Sequence, residues 1–219
     1  MMNDVDDYPG RSGYRNKEKA KRYADRSSAR SAAEARMLRK LIEPLLDPGG
    51  KMLALDIPAG EGRAARLLRS LGMDAVEADI SQSMLAVGQE RGSPRDRSVV
   101  ADIEGWLPFS EGTFDLVLCW RLLHHLPEKD RLTGVLMELA RITRKWVVVS
   151  FFHPWSLHHL QRSLSTLLLH RKSCRFSFTL KQVHEAGEVA GLKLWNKTAQ
   201  LPYLRDLWAA VFLKEVKTS

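Results

Sequence analysis

The feature that most constrains this chain is its alternation of short apolar runs with amphipathic stretches. Met52–Ile57, Asp74–Asp79, Ser98–Ala101, Phe114–Cys119 and Trp146–Phe151 have the length of strands. Between them, Gly62–Leu71, Ser81–Arg91 and Asp130–Ile142 carry apolar residues at helical spacing. Strands covered on both faces read as near-continuous apolar runs, because each side chain, up or down, meets a helix. The alternation therefore predicts an α/β fold, Rossmann-like, with a mostly parallel sheet and helices on both faces. A helix at Leu180–Ala190 and two closing strands, Leu192–Lys197 and Leu207–Lys214, complete seven strands. At 219 residues the chain suits one substantial core, so a single domain over 1–219 is expected.

The flanks of that pattern read differently. Residues 1–16 form a loose tail, 17–46 an N-terminal helix, and Asp47-Pro48-Gly49-Gly50 breaks the chain after it. The opening residues are polar and acidic, without the apolar core of a signal peptide, and no apolar run approaches the roughly 18–20 residues of a membrane span. A cytoplasmic protein is expected. Two cysteines, Cys119 and Cys174, are too few for a disulfide framework or a metal cluster and read as reduced thiols.

The net charge of +8 is unevenly spread: Leu139 to His184 holds no Asp or Glu and five of the seven histidines. Such a stretch attracts anionic lipid, nucleic acid or an acidic small substrate, or is simply a solvated basic face. Within it, residues 152–178 read as a long irregular or helical segment beyond the fifth strand, at the end of the sheet where ligands lie. Leu157, Leu160, Leu164, Leu167 and Leu168 follow helical spacing, with His158, His159 and Arg162 elsewhere around the turn. That pattern fits a lid packed on its own core, or a basic amphipathic surface meeting an anionic acceptor or a membrane. Nucleic acid is the weaker partner, since no aromatic-basic RNA-binding motif is present.

In open parallel sheets, ligands lie beyond the carboxyl ends of the strands. There the chain places Asp56 to Gly62, Asp79, Asp102, Cys119-Trp120 and Phe152-His153. The loop "DIPAGEGR" keeps Gly60 and Gly62 for close backbone approach, but Pro58 stands where a first glycine is usual. Proline lacks an amide hydrogen and holds φ near −65°, so it serves only where neither a donor nor a positive φ is needed. Asp56 and Glu61 beside the loop would repel a pyrophosphate, and the Gly-Lys-Ser/Thr ending of a P-loop is absent. A cationic amino-acid nucleoside without phosphate suits these carboxylates. Asp79, closing the second strand, offers two acceptor oxygens to a ribose diol.

With these residues in place, the chain resembles the class I S-adenosylmethionine-dependent methyltransferases of the small "type 11" kind, over roughly residues 20–215. "LALDIPAGEGRAARLL" is similar to the family's first motif and "VEADISQSML" to its second. "VVADIEGWLPFSEGTFDLVLCWRLLHHLP" resembles the third and fourth run together, and "LKLWNKTAQLPYLRDLWAAVFL" the closing antiparallel pair. The resemblance implies S-adenosyl-L-methionine as cofactor, with Asp56 and the backbones of Gly60 and Gly62, beside Pro58, at its methionine part. It implies Asp79 at the ribose, Ile80 and Ile103 against the adenine, Asp102 at the adenine amino group, and the Cys119 carbonyl at the cofactor's amino group. Tyr23, in the N-terminal helix, would close over the site. Trp120-Arg121 depart from the small residues common after the fourth strand.

Methyl transfer is an in-line displacement, and a protein contributes alignment, exclusion of water and, where needed, a base. His125 and His153 are the candidate bases, while His124-His125 also reads as a packing or capping pair. The acceptor expected is a small molecule or lipid-like, with an acidic one favoured by the basic stretch. An RNA or protein acceptor is the alternative, and a catalytically inactive cofactor-binding subunit is the non-enzymatic one.

Overall fold

The structure is a computed structural model that describes residues 17–25, 28–126, 129–154, 176–200 and 206–215, without the side chains of 17, 23, 24 and 28–31. The tail 1–16, the cover residues 155–175 and the side chain of Tyr23 lie outside the described residues, and the readings made for them with it.

Helices α1 (Lys17–Asp25) and α2 (Ser28–Ile42) occupy the stretch read as one helix, and a 3₁₀ turn at Glu43–Leu45 ends it where Pro44 removes an amide donor. There follow β1 (Leu53–Asp56), α3 (Arg63–Ser70), β2 (Asp74–Asp79), α4 (Gln82–Glu90), β3 (Ser98–Val100), β4 (Phe114–Cys119), α5 (Lys129–Ile142), β5 (Thr143–Phe152), α6 (Leu180–Val189), β6 (Leu192–Ala199) and β7 (Leu207–Lys214). The seven strands lie in the order β3-β2-β1-β4-β5-β7-β6. The first five are parallel, and β7 runs antiparallel between β5 and β6.

β5 starts three residues earlier than its apolar run suggests. Thr143 pairs with Phe114 at that end, and Arg144 donates to the Thr113 carbonyl at 2.6 Å. Polar residues thus extend a strand through its neighbour, which a hydropathy pattern does not register. Ser81 caps α4 as its position in the sequence indicates, its hydroxyl accepting from the Met84 amide at 3.2 Å.

Strand alternation divides the core into two layers. Val117, Val147, Val149, Phe151 and Phe212 face α5 and α6. Ala54, Leu116, Leu118, Val148 and Val211 face α2 and α3. Asp56 follows Ala54 by two residues, and Glu77 and Asp79 follow Ala75 in the same way, so all three carboxylates fall on the α2/α3 side. At the far edge, α1 rests on α4 through Ala20 against Met84 and Val87, with Lys21 paired to Glu90 at 3.0 Å.

Gly187 shows how tight the α6 layer is: a Cβ there would lie 2.6 Å from Cε1 of the fully buried Phe212. In an exposed helix, Gly→Ala stabilises. Here Gly187→Ala is expected to destabilise by about 1–3 kcal/mol through overpacking, lowering the melting temperature by roughly 2–12 °C; calorimetry or thermal denaturation reads the sign directly.

Candidate functional site

The loop after β1 is fastened on every side. Ile57 donates to the Leu118 carbonyl at 2.9 Å, Ala59 to Ala78 at 2.8 Å, and Gly62 to Ala59 at 2.9 Å. Gly60 donates to Oδ2 of Asp79 at 2.7 Å. The left-handed positions are Gly60 (φ 56°) and Gly62 (φ 76°), and Pro58 is in neither class: it has a negative φ and sits between two residues whose amides carry the bonds. The Ile57–Pro58 peptide bond is cis. The proline therefore occupies a position where its missing donor is not called upon.

Asp56 has two tasks in this loop. Gly62, at the N-cap of α3, has no side chain to satisfy the first-turn amides. Asp56 Oδ2 takes that role from the strand, accepting from the Ala65 amide at 2.9 Å. Its other oxygen, Oδ1, is buried without a hydrogen-bond partner among the described residues. Burial first, and then the neighbouring Glu77 carboxylate, push the Asp56 carboxyl well above the ordinary range for aspartate.

Asp79 is bound differently. Both its oxygens already accept backbone amides, Oδ1 from Ser81 at 2.8 Å and Oδ2 from Gly60, and each retains a lone pair for a further donor. Burial raises its carboxyl, and the two amides oppose that shift. The adjacent Ile80 is half-buried. Along the same edge, Asp102 accepts from the Glu104 amide at 3.1 Å and Ile103 is buried beside it. Strand order places Asp102, Asp79, Asp56, Cys119 and Phe152 in succession along the carboxyl edge, around the point where β1 lies between β2 and β4.

Glu61 does not act as its place in the sequence suggests. Its carboxylate is 3% exposed and ion-paired with Arg63 at 2.8 Å and with Arg91. Arg91 also holds Asp25 of α1. Among the described residues, Asp56 and Asp79 are thus the carboxyl groups beside the loop that no arginine pairs with, while Glu61 anchors α1 and α4 to it. That pairing spans 30 residues of sequence, which no local pattern discloses.

Beyond β4 and β5 the edge becomes aromatic and basic. Cys119 is buried, and burial together with Asp56 drives its thiol far up, so it stays neutral. Trp120 turns into the α2 layer, its indole nitrogen donating to Glu34 at 3.4 Å. Arg121 adopts a left-handed conformation (φ 63°), with its amide on the Ser150 hydroxyl at 2.7 Å and its guanidinium on Glu34. His124 stacks on Phe152 with ring centroids 4.2 Å apart and touches His125 at 4.1 Å. His153 stacks on Trp208 at 4.7 Å, its amide held by the Asp206 carbonyl, and partial burial lowers its pKa below the usual 6.5. His124 is thus the packed member of its pair, between Phe152 and His125, while His153 follows Phe152 in the chain and rests on Trp208. Glu34, Glu77, Ser150 and Trp208 were not among the residues singled out from the sequence. Glu77 alone had a signal there, being two residues from Asp79 in a strand and hence on its face.

Residues 55–151 match a family model described as a methyltransferase domain. The demethylmenaquinone methyltransferase of Thermobifida fusca is 31% identical over 104 residues, 46% of this chain and 44% of that protein. An 18S rRNA (guanine-N(7))-methyltransferase of Schizosaccharomyces pombe is 34% identical over 91 residues, 42% of this chain and 34% of that one. The chain thus spans less than half the length of these relatives. Among solved structures, the magnesium protoporphyrin IX methyltransferase of Synechocystis PCC 6803 with bound SAH superposes with a TM-score of 0.73 at 16% identity, covering 96% of this chain and 98% of that one. At that identity the likeness is one of fold.

The burial of Asp56 has a consequence for stability. Its folded pKa lies above the unfolded value near 3.9, so the native state binds more protons, and stability falls as pH rises from about 3.9 through the folded value. Asp56→Asn keeps an acceptor for the Ala65 amide and removes the titration. The variant is expected to melt higher than the parent at pH 7 and to lose that advantage near pH 4, as thermal denaturation across the pH range will show.

Proposed function

We propose that the chain carries a class I S-adenosylmethionine-dependent methyltransferase domain, as the match of residues 55–151 and the methyltransferase relatives support, and that it transfers a methyl group from S-adenosylmethionine to a small-molecule or lipid-like acceptor. The observation that carries the cofactor assignment is Asp56: the residue is 1% exposed, and its Oδ1, without a hydrogen-bond partner among the described residues, fits a ligand that brings its own cation. Asp56 would take the α-ammonium, the free lone pairs of Asp79 the ribose hydroxyls, and Ile80 and Ile103 the faces of the adenine, with Asp102 at its amino group. The Cys119 carbonyl and the backbones of Gly60 and Gly62 would complete the methionine end. When bound, S-adenosylmethionine supplies a methyl carbon already activated by its sulfonium.

The remaining work falls to the aromatic and basic edge. Phe152 and Trp208 would exclude water, which strengthens every electrostatic contact made there. His153 is neutral at pH 7, because desolvation disfavours its charged form, and is able to accept a proton from an acceptor hydroxyl or enol. His125 is the second candidate for that role. A cytoplasmic protein touching an anionic surface suits the acid-free stretch 139–184, and no helix among the described residues is long and apolar enough to cross a membrane. The quinone-methylating relative supports a small apolar acceptor, and the rRNA-methylating one supports RNA as the second reading.

Calorimetry with S-adenosylmethionine is expected to give one site with a dissociation constant of roughly 1 μM–1 mM, the range typical of enzyme ligands, and Asp79→Ala is expected to abolish it. Absence of heat and of thermal protection would remove the cofactor assignment. With a panel of quinols, phenols, carboxylates and RNA, turnover confined to RNA would reverse the acceptor reading. On the acceptor so identified, His153→Ala is expected to lower kcat by about 10²–10⁴, and the acid limb of the parent's rate profile is expected below pH 6.5. Unchanged turnover would strike His153 from the site.

A further inference from the structure

Two buried carboxylates stand side by side beneath the glycine loop. Asp56 of β1 and Glu77 of β2 are register partners in the parallel pair. Their side chains leave the same face from strands about 4.8 Å apart. Asp56 is 1% exposed and Glu77 0%. One oxygen of each is engaged, Asp56 Oδ2 by the Ala65 amide and Glu77 Oε1 by the Arg69 guanidinium at 2.7 Å. The other oxygen of each, Asp56 Oδ1 and Glu77 Oε2, is buried with no hydrogen-bond partner among the described residues. Gly62 closes over them so tightly that a Cβ there would lie 2.7 Å and 2.9 Å from the two Glu77 oxygens.

Two carboxylates this close in a poorly hydrated pocket do not both ionise without a large electrostatic cost. The charges around the pair decide which keeps a proton. From α3, Arg69 is spent on Glu77, and Arg66 turns to the Glu61 carbonyl at 2.7 Å. In the loop, Glu61 is held by Arg63 and by Arg91 at the end of α4. Asp79 adds a second acidic group from β2, and Cys119 of β4 is neutral. No cation hydrogen-bonds to or pairs directly with Asp56 among the described residues, and it is the member left to carry the proton.

We propose that Asp56 holds a proton in the free protein, that a cation bound beside Asp56 expels it to solvent, and that Glu77, lying in register beside it, sets the affinity of the site at a given pH. The inference rests on the reading of this site as one for S-adenosylmethionine. Glu77 is a positioning residue in this arrangement: it acts on the cofactor through the protonation of Asp56. The raised Asp56 carboxyl, whose second cause after burial is Glu77, agrees with that order of events.

The test is calorimetric titration of the full chain with S-adenosylmethionine between pH 5.5 and 6.5, in buffers of different ionisation enthalpy. In that range the ligand's amino group, of the kind that titrates near 7.7–8.0, stays charged. The parent is expected to release on the order of one-half to one proton, with affinity rising by up to about tenfold per pH unit. Glu77→Gln keeps an acceptor for Arg69 and removes the like charge; its proton release is expected to fall at least twofold and its affinity to flatten with pH. A parent that binds but releases no proton between pH 5.5 and 6.5, or a Glu77→Gln protein that releases as many as the parent, overturns the proposal while leaving the cofactor assignment standing. Absence of binding at every pH overturns both. Should Glu77→Gln fail to fold, the proton count of the parent decides alone.

Discussion

Burying ionisable carboxylates is the constraint around which this fold is arranged. Asp56, Glu61, Glu77 and Asp79 are all below one-tenth exposed within one corner of the sheet, and each loses several kcal/mol of hydration if ionised there without compensation. The compensation differs for each. Asp79 takes two amides, Glu61 two arginines, Glu77 one arginine, and Asp56 one amide. The loop conformation follows from these bonds. The Gly60 amide faces Asp79, Gly62 gives up its Cβ to the Glu77 carboxylate, and α3 begins where Asp56 is able to cap it. Asp56 is the least compensated of the four, which is the physical basis for the cation-binding role proposed for it.

The other half of the edge is held by a second long-range tie. Arg121 is in a conformation that costs a non-glycine residue of order 1–3 kcal/mol. It is held there by the buried Ser150 hydroxyl and by Glu34 of α2, 87 residues away in sequence. Because Glu34 also takes the Trp120 indole, one glutamate docks α2 on the exit of β4 and turns Trp120 away from Cys119 into the α2 layer. The bulk that distinguishes this chain after its fourth strand is thereby stowed in the core. Phe152 is left as the platform on which His124 stacks, with His153 beside it in the chain.

Much of this was legible in the residues. Strand positions follow from apolar runs, since burial on both faces demands them, and Ser81 announces α4 because a hydroxyl is the simplest cap. Asp79 and Asp102 are readable as edge residues from where their strands stop. The errors are as instructive. Glu61 reads as a negative charge at the ligand, because sequence shows neighbours at one and two positions and not Arg91 across the fold. Pro58 was no such error: the condition read for it, a position needing neither a donor nor a positive φ, is the one the folded loop supplies. The early start of β5 was missed because Thr143 and Arg144 owe their strand geometry to β4 rather than to their own hydropathy.

By itself, then, the sequence determined the layered α/β architecture, the carboxyl edge of its sheet, and the carboxylates placed along that edge. Periodicity and strand ends are local properties, written in consecutive residues. Only the tertiary structure decided what each carboxylate is worth. It set Glu61 against two arginines, gave Asp79 two amides, laid Glu77 in register beside Asp56, and left one Asp56 oxygen without a partner. Electrostatic energy depends on distances through space and on burial, and neither is defined until the strands are paired.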